Sequence, residues 1–318
     1  MISVAMCTFN GEKYIKEQIE SIINQSCMPD EIVICDDCSK DNTVNIIKEI
    51  LDNWSGNVNL VENEKNLGYR KNFEKAISLC KGDIIFLSDQ DDVWNKNKIK
   101  IMSKVLNASS NAILAFHDVE VVDENLNLIK KSFWKLLRFD YQKFLQNDFR
   151  RIFEGNVVQG SACAFRKELF NYAKPFPEAA IHDEWLGLVA LAKGNIIPVN
   201  KSLAKYRQSG NNAIGAGSVS LLKKITKLIT NLHDQNIKLV NELIRRQEVL
   251  NCFYTRFGRE TLIICREYEK YLDFYTLRFN YIQNKKILNL IYLNYFKIYD
   301  TRIYALRRML RDIIACIF

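Results

Sequence analysis

The stretch Phe86-Leu87-Ser88-Asp89-Gln90-Asp91-Asp92 decides the fold of this chain, because a run of apolar strand-forming residues ends in three carboxylates within four positions. A buried strand does not tolerate charge, so the acids are expected at its exposed carboxyl end. In an open α/β sheet, ligands bind in the crevice outside such strand ends. Clustered carboxylates repel one another unless a cation lies between them, which predicts a divalent-metal site that holds a phosphate ester. The alternative is an acidic first turn for a helix that begins near Asn95.

Strands and helices alternate along the first half of the chain. Short apolar runs predict strands, and apolar residues at helical spacing predict the helices between them. The predicted strands are Ile2–Cys7, Glu31–Cys35, Val58–Val61 and Asp83–Leu87, and the predicted helices are Glu12–Asn24, Asn42–Leu51 and Lys71–Cys80. This order predicts an α/β fold with a doubly wound, mainly parallel sheet.

Three polar clusters follow predicted strands and are expected to converge at one edge of the sheet. They are Thr8-Phe9-Asn10-Gly11, Asp36-Asp37-Cys38-Ser39 and Ser88 to Asp92. The first crossover has neither a GxGxxG nor a Walker sequence, which argues against a dinucleotide oxidoreductase and a P-loop NTPase.

The composition is that of a globular protein. The 318 residues are 48% hydrophobic, enough for one substantial core and a smaller appended unit. The sequence shows no leader and no run of about 18 apolar residues, so a cytoplasmic location is expected. Nine scattered cysteines indicate reduced thiols. Cys35 and Cys38 have the spacing of a zinc or redox pair, but no second pair accompanies them.

Beyond about Ser218 the pattern changes to aliphatic residues at helical intervals. It predicts an appended α-helical region over residues 218–318, after a catalytic domain over residues 1–217. Between Lys285 and Arg311, seven cations accompany aromatic and aliphatic residues, and the whole chain carries a net charge of +8. Basic amphipathic helices bind anionic bilayer surfaces; packing on the catalytic domain or on a second subunit is the alternative. Nucleic-acid binding is not expected, because no recognised binding module accompanies the charge.

Five motifs make the chain recognisable. They are Cys7-Thr8-Phe9-Asn10-Gly11, Ile34 to Asp41, Asn66-Leu67-Gly68 with Asn72, Phe86 to Asp92, and His182-Asp183-Glu184-Trp185-Leu186. In order and spacing they resemble the family 2 glycosyltransferases of the GT-A fold, and most closely the bacterial rhamnosyltransferase-like branch. The resemblance covers about residues 1–215 and implies a mainly parallel, mixed sheet that binds a nucleotide-diphosphate sugar.

The resemblance also implies which residues form the donor site. The departing diphosphate needs charge neutralisation, and carboxylates suit Mg²⁺ or Mn²⁺. Asp89 and Asp91 match the family's metal-binding DxD, with Asp91 the more direct ligand and Asp89 shared between metal and ribose. The other residues implied to bind the nucleotide sugar are Thr8, Asn10, Glu12, Asp36, Asp37, Gly68, Asn72 and Arg207. Turn chemistry is the alternative for Asp36 and Asp37, and helix capping for Asn72.

The segment from Tyr206 to Asn212 resembles the family's loop that closes over the diphosphate, where Arg207 would contact phosphate. Ser209 stands where many relatives carry a histidine. Closure is therefore expected to depend more on Arg207 and the asparagines than on a histidine ligand.

On the acceptor side, Asp183 matches the family's base position, which implies that it accepts the proton of the attacking hydroxyl. Glu184 is the alternative base, and N-capping of the following helix is the structural alternative for both. Gly160 would let a sugar approach the backbone, and the flat faces of Trp94 and Trp185 would suit sugar stacking. Core packing is the alternative for both tryptophans.

These expectations combine into an inverting, metal-dependent glycosyltransferase that moves a sugar onto a hydroxyl of a bacterial surface-polysaccharide precursor, such as O-antigen or capsule. Direct displacement needs no second nucleophilic carboxylate. The resemblance suggests dTDP-rhamnose as donor, while UDP-hexose and UDP-N-acetylhexosamine donors stay open. The expected partners are a glycan or lipid-linked glycan acceptor, the inner face of the plasma membrane through the C-terminal basic helices, and a second copy of the chain.

Two other functions fit the sequence less well. A nucleotidyltransferase would need a glycine-rich signature loop after the first strand, which Thr8 to Lys13 does not resemble. A non-catalytic module that only binds a nucleotide sugar would be expected to have lost a key acid, and all the key acids are present.

Overall fold

The computed structural model describes residues 1–208 and 232–258 and, after these, single positions and short groups between residues 270 and 313. The chain divides into two compact units, Met1–Phe176 with Ile181–Gly215, and Pro177–Ala180 with Ala216–Phe318. The domain boundary predicted between residues 217 and 218 stays a prediction, because residues 209–231 lie outside the described residues.

The first unit is built on one mixed sheet. Its strands are β1 (Ile2–Thr8), β2 (Glu31–Asp36), β3 (Asn57–Glu62), β4 (Ile84–Ser88), β5 (Val93–Trp94), β6 (Ala112–Val122), β7 (Leu128–Lys130), β8 (Cys163–Arg166) and β9 (Asn195–Arg207). They lie in the order β3-β2-β1-β4-β8-β6-β9-β5, with β7 paired to β6. β3, β2, β1 and β4 are parallel, whereas β8 runs antiparallel between β4 and β6. The predicted α/β fold with a doubly wound, mixed sheet is confirmed.

Helices connect these strands, and a further helix lies among the described residues of the second unit. They are α1 (Ile15–Ile23), α2 (Thr43–Leu51), α3 (Tyr69–Leu79), α4 (Lys98–Asn107), α5 (Phe133–Leu137), α6 (Tyr141–Leu145), α7 (Arg150–Glu154), α8 (Lys167–Ala173), α9 (His182–Lys193) and, in the second unit, α10 (Leu232–Phe257). A 3₁₀ turn, Gly160–Ala162, leads into β8.

The central strands β1, β2 and β4 are buried along almost their whole length. This burial explains their continuous hydrophobic runs, which are typical of parallel strands covered on both faces. Ile15, Ile19 and Ile22 of α1 are fully buried in the same core as Val4 and Met6 of β1, so the predicted helical spacing is confirmed.

Strand register brings the three polar clusters to one edge of the sheet, as predicted. Thr8 lies opposite Asp36 across β1 and β2, and Met6 lies opposite Ser88 across β1 and β4. The polar clusters that follow β1, β2 and β4 therefore lie at the same edge of the sheet.

The acidic stretch does not start a helix. β4 ends at Ser88, the short strand β5 follows the acids, and α4 begins only at Lys98. The alternative interpretation of the acids as the first turn of a helix near Asn95 is therefore wrong, and they form a loop at the end of a strand.

Most of the described residues of the second unit beyond residue 231 are helical. Leu243, Val249, Leu250, Phe253 and Phe257 of α10 are buried. Further along the chain, Arg278 and Asp312 form a buried two-point ion pair. The helical positions predicted at Leu221, Ile225 and Leu228, and most of the basic stretch from Lys285 to Arg311, lie outside the described residues. No helix among the residues described is long and apolar enough to cross a bilayer.

Candidate active site

Hydrogen bonds fasten the loops after β1 and β2 to each other. The Thr8 hydroxyl donates to Asp36 Oδ1 at 2.7 Å. Asn10 adopts a left-handed φ of 49°, a conformation that asparagine tolerates better than most residues. Its backbone N–H donates to the Ser39 hydroxyl, and its side-chain Oδ1 accepts from the Lys40 backbone N–H, both at 2.8 Å. Thr8 and Asn10 thus shape this edge of the sheet.

Asp36 is buried and closes a turn. Besides Thr8, it accepts hydrogen bonds from the Ser39 hydroxyl at 2.6 Å and from the Ser39 backbone N–H at 2.8 Å. This is the turn chemistry that the sequence offered as the alternative role.

Asp37 points in another direction, toward the loop between β3 and α3. Its Oδ1 accepts from Leu67 N–H at 2.7 Å and from Asn63 Nδ2 at 2.8 Å, and its Oδ2 accepts from Gly68 N–H at 2.9 Å. Gly68 has a φ of 76°, and open space surrounds the position that a Cβ would take. The loop that Asp37 holds therefore leaves room for a ligand beside Gly68.

Two residues predicted to contact the nucleotide have other partners. Asn72 is buried within α3, where its side chain donates to the Cys35 carbonyl at 2.7 Å. Glu12 accepts from the Asn42 backbone N–H at 2.9 Å, just before α2. Asn72 is buried and ties α3 to β2, which corrects the prediction for this residue. Glu12 is exposed and also bonds the start of α2, so its contact with the nucleotide stays a prediction.

The acidic loop, residues 89–92, is held in place by Gln90, to which the sequence motifs assigned no role. The Gln90 side chain accepts from Phe9 N–H at 2.7 Å and donates to the Phe9 carbonyl at 3.0 Å. This two-point bond fixes the loop to the end of β1. Its only sequence signal is a glutamine placed between two acids of one motif.

Burial raises the pKa of all three acids in this loop. For Asp89 the pKa lies well above its ordinary value, with further contributions from the charges of Asp92, Asp91 and Asp183. Burial and then the charge of Asp92 raise the pKa of Asp91 to about 7. Burial also raises the pKa of Asp92, which is 0% exposed. Carboxylates held this close are stabilised by a cation.

The donor set fits a magnesium or manganese ion that arrives with its substrate. Carboxylates are hard oxygen ligands, and Mg²⁺ is usually held by one or two of them together with substrate phosphates. In the described part of the chain, no three His, Cys, Asp or Glu side chains are grouped to hold a metal ion by themselves. Asp91 and Asp89 would therefore share such an ion with the diphosphate.

Asp183 lies in the first turn of α9 and is buried. Its Oδ2 accepts from Gly160 N–H at 2.6 Å, and its Oδ1 accepts from Asn156 Nδ2 at 2.8 Å and from Glu184 N–H at 2.7 Å. Donors aimed at both oxygens favour the ionised carboxylate. Asn156 is a residue of this site to which the sequence motifs assigned no role.

Strand register and hydrogen bonds place these acids in one neighbourhood. Ala164 of β8 lies opposite Phe86 of β4, so the Gly160–Ala162 turn that binds Asp183 lies beside the end of β4. The charge of Asp183 helps to raise the pKa of Asp89. Burial raises the pKa of the Cys7 thiol, with contributions from Cys35, then Asp89 and Asp37. The structure thus brings the acidic loop, Asp183 and Asp37 to the same edge of the sheet.

Both predicted sugar-stacking tryptophans are core residues. Trp185 is 0% exposed, and its indole N–H donates to the Ala173 carbonyl at 2.8 Å. Trp94 is buried too, and the Lys98 ammonium lies 3.6 Å from its ring centroid. Neither ring has an open face, so the stacking prediction is wrong. Glu184 is likewise buried in the first turn of α9.

Arg207 is 2% exposed and does not reach out toward a ligand. Its guanidinium donates to the Asp91 carbonyl at 2.8 Å, to the Glu124 carbonyl and to the Glu17 carboxylate, and lies over the Tyr14 ring. This corrects the predicted phosphate contact, because Arg207 supports the backbone of the acidic loop. Ser209 and the asparagines of the predicted closing loop lie outside the described residues.

His182, next to the proposed base, is a buried residue that sequence reasoning missed. Its ring stacks on Phe73 with 4.0 Å between centroids, and burial lowers its pKa to about 3. A Cβ at Gly160 would lie 2.8 Å from His182 Nε2 and 3.3 Å from Asp183 Oδ2. Position 160 therefore needs glycine for packing against these two side chains.

Known proteins resemble this chain in sequence and in fold. Residues 3–172 match the family described as glycosyl transferase family 2. The dTDP-rhamnosyl transferase RfbG of Shigella flexneri is 32% identical over 70% of this chain and 78% of its own length. The UDP-Glc:alpha-D-GlcNAc-diphosphoundecaprenol beta-1,3-glucosyltransferase WfgD of Escherichia coli is 27% identical over 70% of this chain and 83% of its own. A crystal structure of S. aureus TarS 1-349 in complex with UDP-GlcNAc has a TM-score of 0.57 at 20% identity, over 99% of this chain and 90% of that one.

Proposed function

This chain belongs to glycosyl transferase family 2 and is a glycosyltransferase with a GT-A fold, and from that premise we propose an inverting, metal-dependent transfer of rhamnose from dTDP-rhamnose. The acceptor is a hydroxyl of a bacterial surface-polysaccharide precursor. The observation that carries the proposal is the shared edge of the sheet. Ala164 of β8 lies opposite Phe86 of β4, so the Gly160–Ala162 turn that binds Asp183 lies beside the end of β4 that leads into the acidic loop. Transfer needs both groups, one for the leaving diphosphate and one for the incoming alcohol.

Asp183 is the proposed base. The acceptor oxygen attacks the anomeric carbon, the bond from that carbon to the diphosphate oxygen breaks, and the hydroxyl proton passes to Asp183. Asn156 and Gly160 keep the carboxylate ionised and oriented before the reaction. One direct displacement inverts the anomeric configuration.

Asp91 and Asp89 are the proposed ligands of Mg²⁺ or Mn²⁺, which when bound neutralises the charge of the departing diphosphate. Arg207 and Gln90 contribute by holding the backbone of this loop in place. Neither the metal-ligand role of Asp91 and Asp89 nor the supporting role of Arg207 and Gln90 depends on which sugar is transferred.

Asp37 is the proposed contact for the pyrimidine base. A carboxylate offers about four acceptor positions, and Asp37 uses three of them on the described residues. The remaining position, on the oxygen that also binds Gly68 N–H, suits a ring N–H of thymine or uracil. Thr8 and Asn10 shape the same end of the sheet, and Asp36 supports them.

The names of two relatives support alternative donors. RfbG is named for dTDP-rhamnose, which favours rhamnose because this chain is 32% identical to it. WfgD is named for UDP-Glc and for an acceptor linked to diphosphoundecaprenol. It supports a UDP-hexose as the second candidate donor and a lipid-linked glycan as acceptor. Contact of the basic C-terminal stretch with the inner face of the membrane belongs to the same proposal.

Thermal unfolding with a panel of nucleotide sugars tests the donor. The purified chain is heated with dTDP-rhamnose, dTDP-glucose, UDP-glucose or UDP-GlcNAc, each with Mn²⁺ or with a chelator. A ligand at about 100 times its Kd adds roughly 2.7 kcal/mol of stability. Metal-dependent stabilisation by dTDP-rhamnose above dTDP-glucose is expected. Stabilisation by UDP-sugars alone overturns the rhamnose donor but leaves the glycosyltransferase assignment in place.

A further inference from the structure

Lys98 is a buried cation to which the proposed reaction gives no role. It is the first residue of α4 and is 0% exposed. Its ammonium donates to the Ser161 carbonyl and lies 3.6 Å from the centroid of the Trp94 ring. A buried ammonium is strongly destabilising unless it is paired and hydrogen-bonded. Lys98 lies between the acidic loop and the Gly160–Ala162 turn.

One side of Lys98 faces the acidic loop. Burial lowers the pKa of Lys98 to about 7, while the charges of Asp92, Cys163 and Asp89 act in the opposite direction. Asp92 is itself 0% exposed, and its Oδ1 accepts from the Arg207 backbone N–H at 3.1 Å. Protonated Lys98 thus lies close to carboxylates that repel one another, and they favour its charged form.

The other side of Lys98 leads to the proposed base through two hydrogen bonds. Ser161, which accepts from the ammonium, is the central residue of the turn Gly160–Ala162. The neighbouring residue in that turn, Gly160, donates its N–H to Asp183 Oδ2 at 2.6 Å. Gly160 also packs closely against His182 and Asp183, so a displacement of the turn would be passed on to the Asp183 carboxylate.

We propose that Lys98 is a positioning residue of the transfer reaction. It holds the Gly160–Ala162 turn in place, and through this turn it fixes the position of the Asp183 carboxylate relative to the acidic loop. The inference rests on the proposed role of Asp183 as base. An apolar residue of similar length would fill the same space but would leave the Ser161 carbonyl buried without a donor, so the turn would relax. A shift of about 1 Å in a catalytic group can lower the rate about 100-fold.

The test compares Lys98→Met with Lys100→Met, a matched change at an exposed position of the same helix. For Lys98→Met we expect kcat to fall about 10- to 100-fold while KM for the nucleotide sugar and the Kd of its nucleoside diphosphate stay within about twofold. Lys100→Met should match the wild type in all three measurements.

Other outcomes overturn the inference. Unchanged kcat in Lys98→Met does so, and so does a kcat that falls together with nucleotide affinity, because that pattern indicates general loss of structure. If Lys98→Met does not fold, Lys98→Gln replaces it, since its amide can still donate to Ser161. Lys98→Gln is then expected to keep most of the wild-type kcat, and a loss as large as that of Asp183→Asn overturns the inference. Full activity in Asp183→Asn would instead show that the proposed base is wrong.

Discussion

Asp183 Oδ2 accepts a hydrogen bond from the backbone N–H of Gly160 at 2.6 Å, so the proposed base is fixed by a turn at the edge of the sheet as well as by its own helix. Asn156 holds the other carboxylate oxygen at 2.8 Å. The arrangement therefore gives Asp183 a defined direction.

Replacing Asp183 by Asn should remove the base while keeping the shape of the side chain. We expect kcat to fall about 100- to 10,000-fold, because general base catalysis contributes about that much. Binding of the nucleotide sugar should stay close to wild type, because Asp37 and the acidic loop are unchanged. Steady-state kinetics and calorimetric titration with the donor measure the two quantities.

Glu168→Gln is the matched control for Asp183→Asn, since Glu168 is an exposed acid on α8. It should retain wild-type kinetics. A kcat near wild type in Asp183→Asn would show that another group removes the proton, and Glu184 would then be the next residue to replace.

Replacing Asp91 by Asn should weaken metal binding. Burial and the charge of Asp92 raise the pKa of Asp91 to about 7, and a bound cation relieves the repulsion between these two carboxylates. We expect the affinity for Mn²⁺ in the presence of the nucleoside diphosphate to fall at least about tenfold. Electron paramagnetic resonance of free Mn²⁺ measures this affinity without any turnover.

Asp52→Asn, at an exposed position after α2, controls for the loss of one negative charge. Its Mn²⁺ affinity should equal that of the wild type. Equal affinities in Asp91→Asn and Asp52→Asn would remove Asp91 from the proposed metal site.

The sequence predicted the site's position because the relevant signal is local. Apolar runs that end in polar residues identify the strand ends, and parallel strands carry their carboxyl ends to one edge. That is why the clusters at Thr8, Asp36 and Asp89 were placed correctly in the fold. The antiparallel insertion of β8 between β4 and β6 has no such local signal, because pairing depends on residues far apart in the chain.

Partners of individual side chains were much harder to predict. Arg207 contacts Glu17, which lies 190 positions earlier in the chain, and Asn72 contacts the Cys35 carbonyl. A motif indicates that a polar residue is required at a position. It does not indicate whether that side chain contacts a ligand or another part of the chain. Trp185 illustrates the same limit, since an aromatic beside an acid fits a sugar platform and a core equally well until burial is known.

Asp36 should contribute more to stability than to the reaction. Its carboxylate accepts from Thr8 and twice from Ser39. In Asp36→Asn an amide donor replaces one acceptor oxygen, so at least one of these donors loses its partner. We expect the free energy of unfolding to fall by about 1 to 3 kcal/mol. Urea unfolding measures it, and Glu49→Gln on the exposed face of α2 is the control. Unchanged stability with lost nucleotide binding would assign Asp36 to the ligand instead.

His182 should make the first unit sensitive to acid. Its ring is 5% exposed, it stacks on Phe73, and neither ring nitrogen has a hydrogen-bond partner among the residues described. Burial lowers its pKa to about 3, compared with an ordinary value of about 6.5. The unfolded chain therefore binds a proton between these two values that the folded chain does not bind. Stability is fully present above about pH 6.5 and is lost progressively as the pH falls toward 3.

His182→Phe keeps an aromatic ring on Phe73 and removes this titration. Between pH 7 and pH 5 the titration of His182 should lower the unfolding free energy of the wild type by about 2 kcal/mol. The total loss in His182→Phe over the same pH range should be smaller than that of the wild type by the same amount. All four tryptophans, Trp54, Trp94, Trp134 and Trp185, belong to the first unit. Urea unfolding followed by tryptophan fluorescence at both pH values therefore reports on that unit. Because the buried His117 is present in both proteins, the difference between them isolates His182. Equal losses in the two proteins would mean that the His182 ring is already solvated in the folded chain.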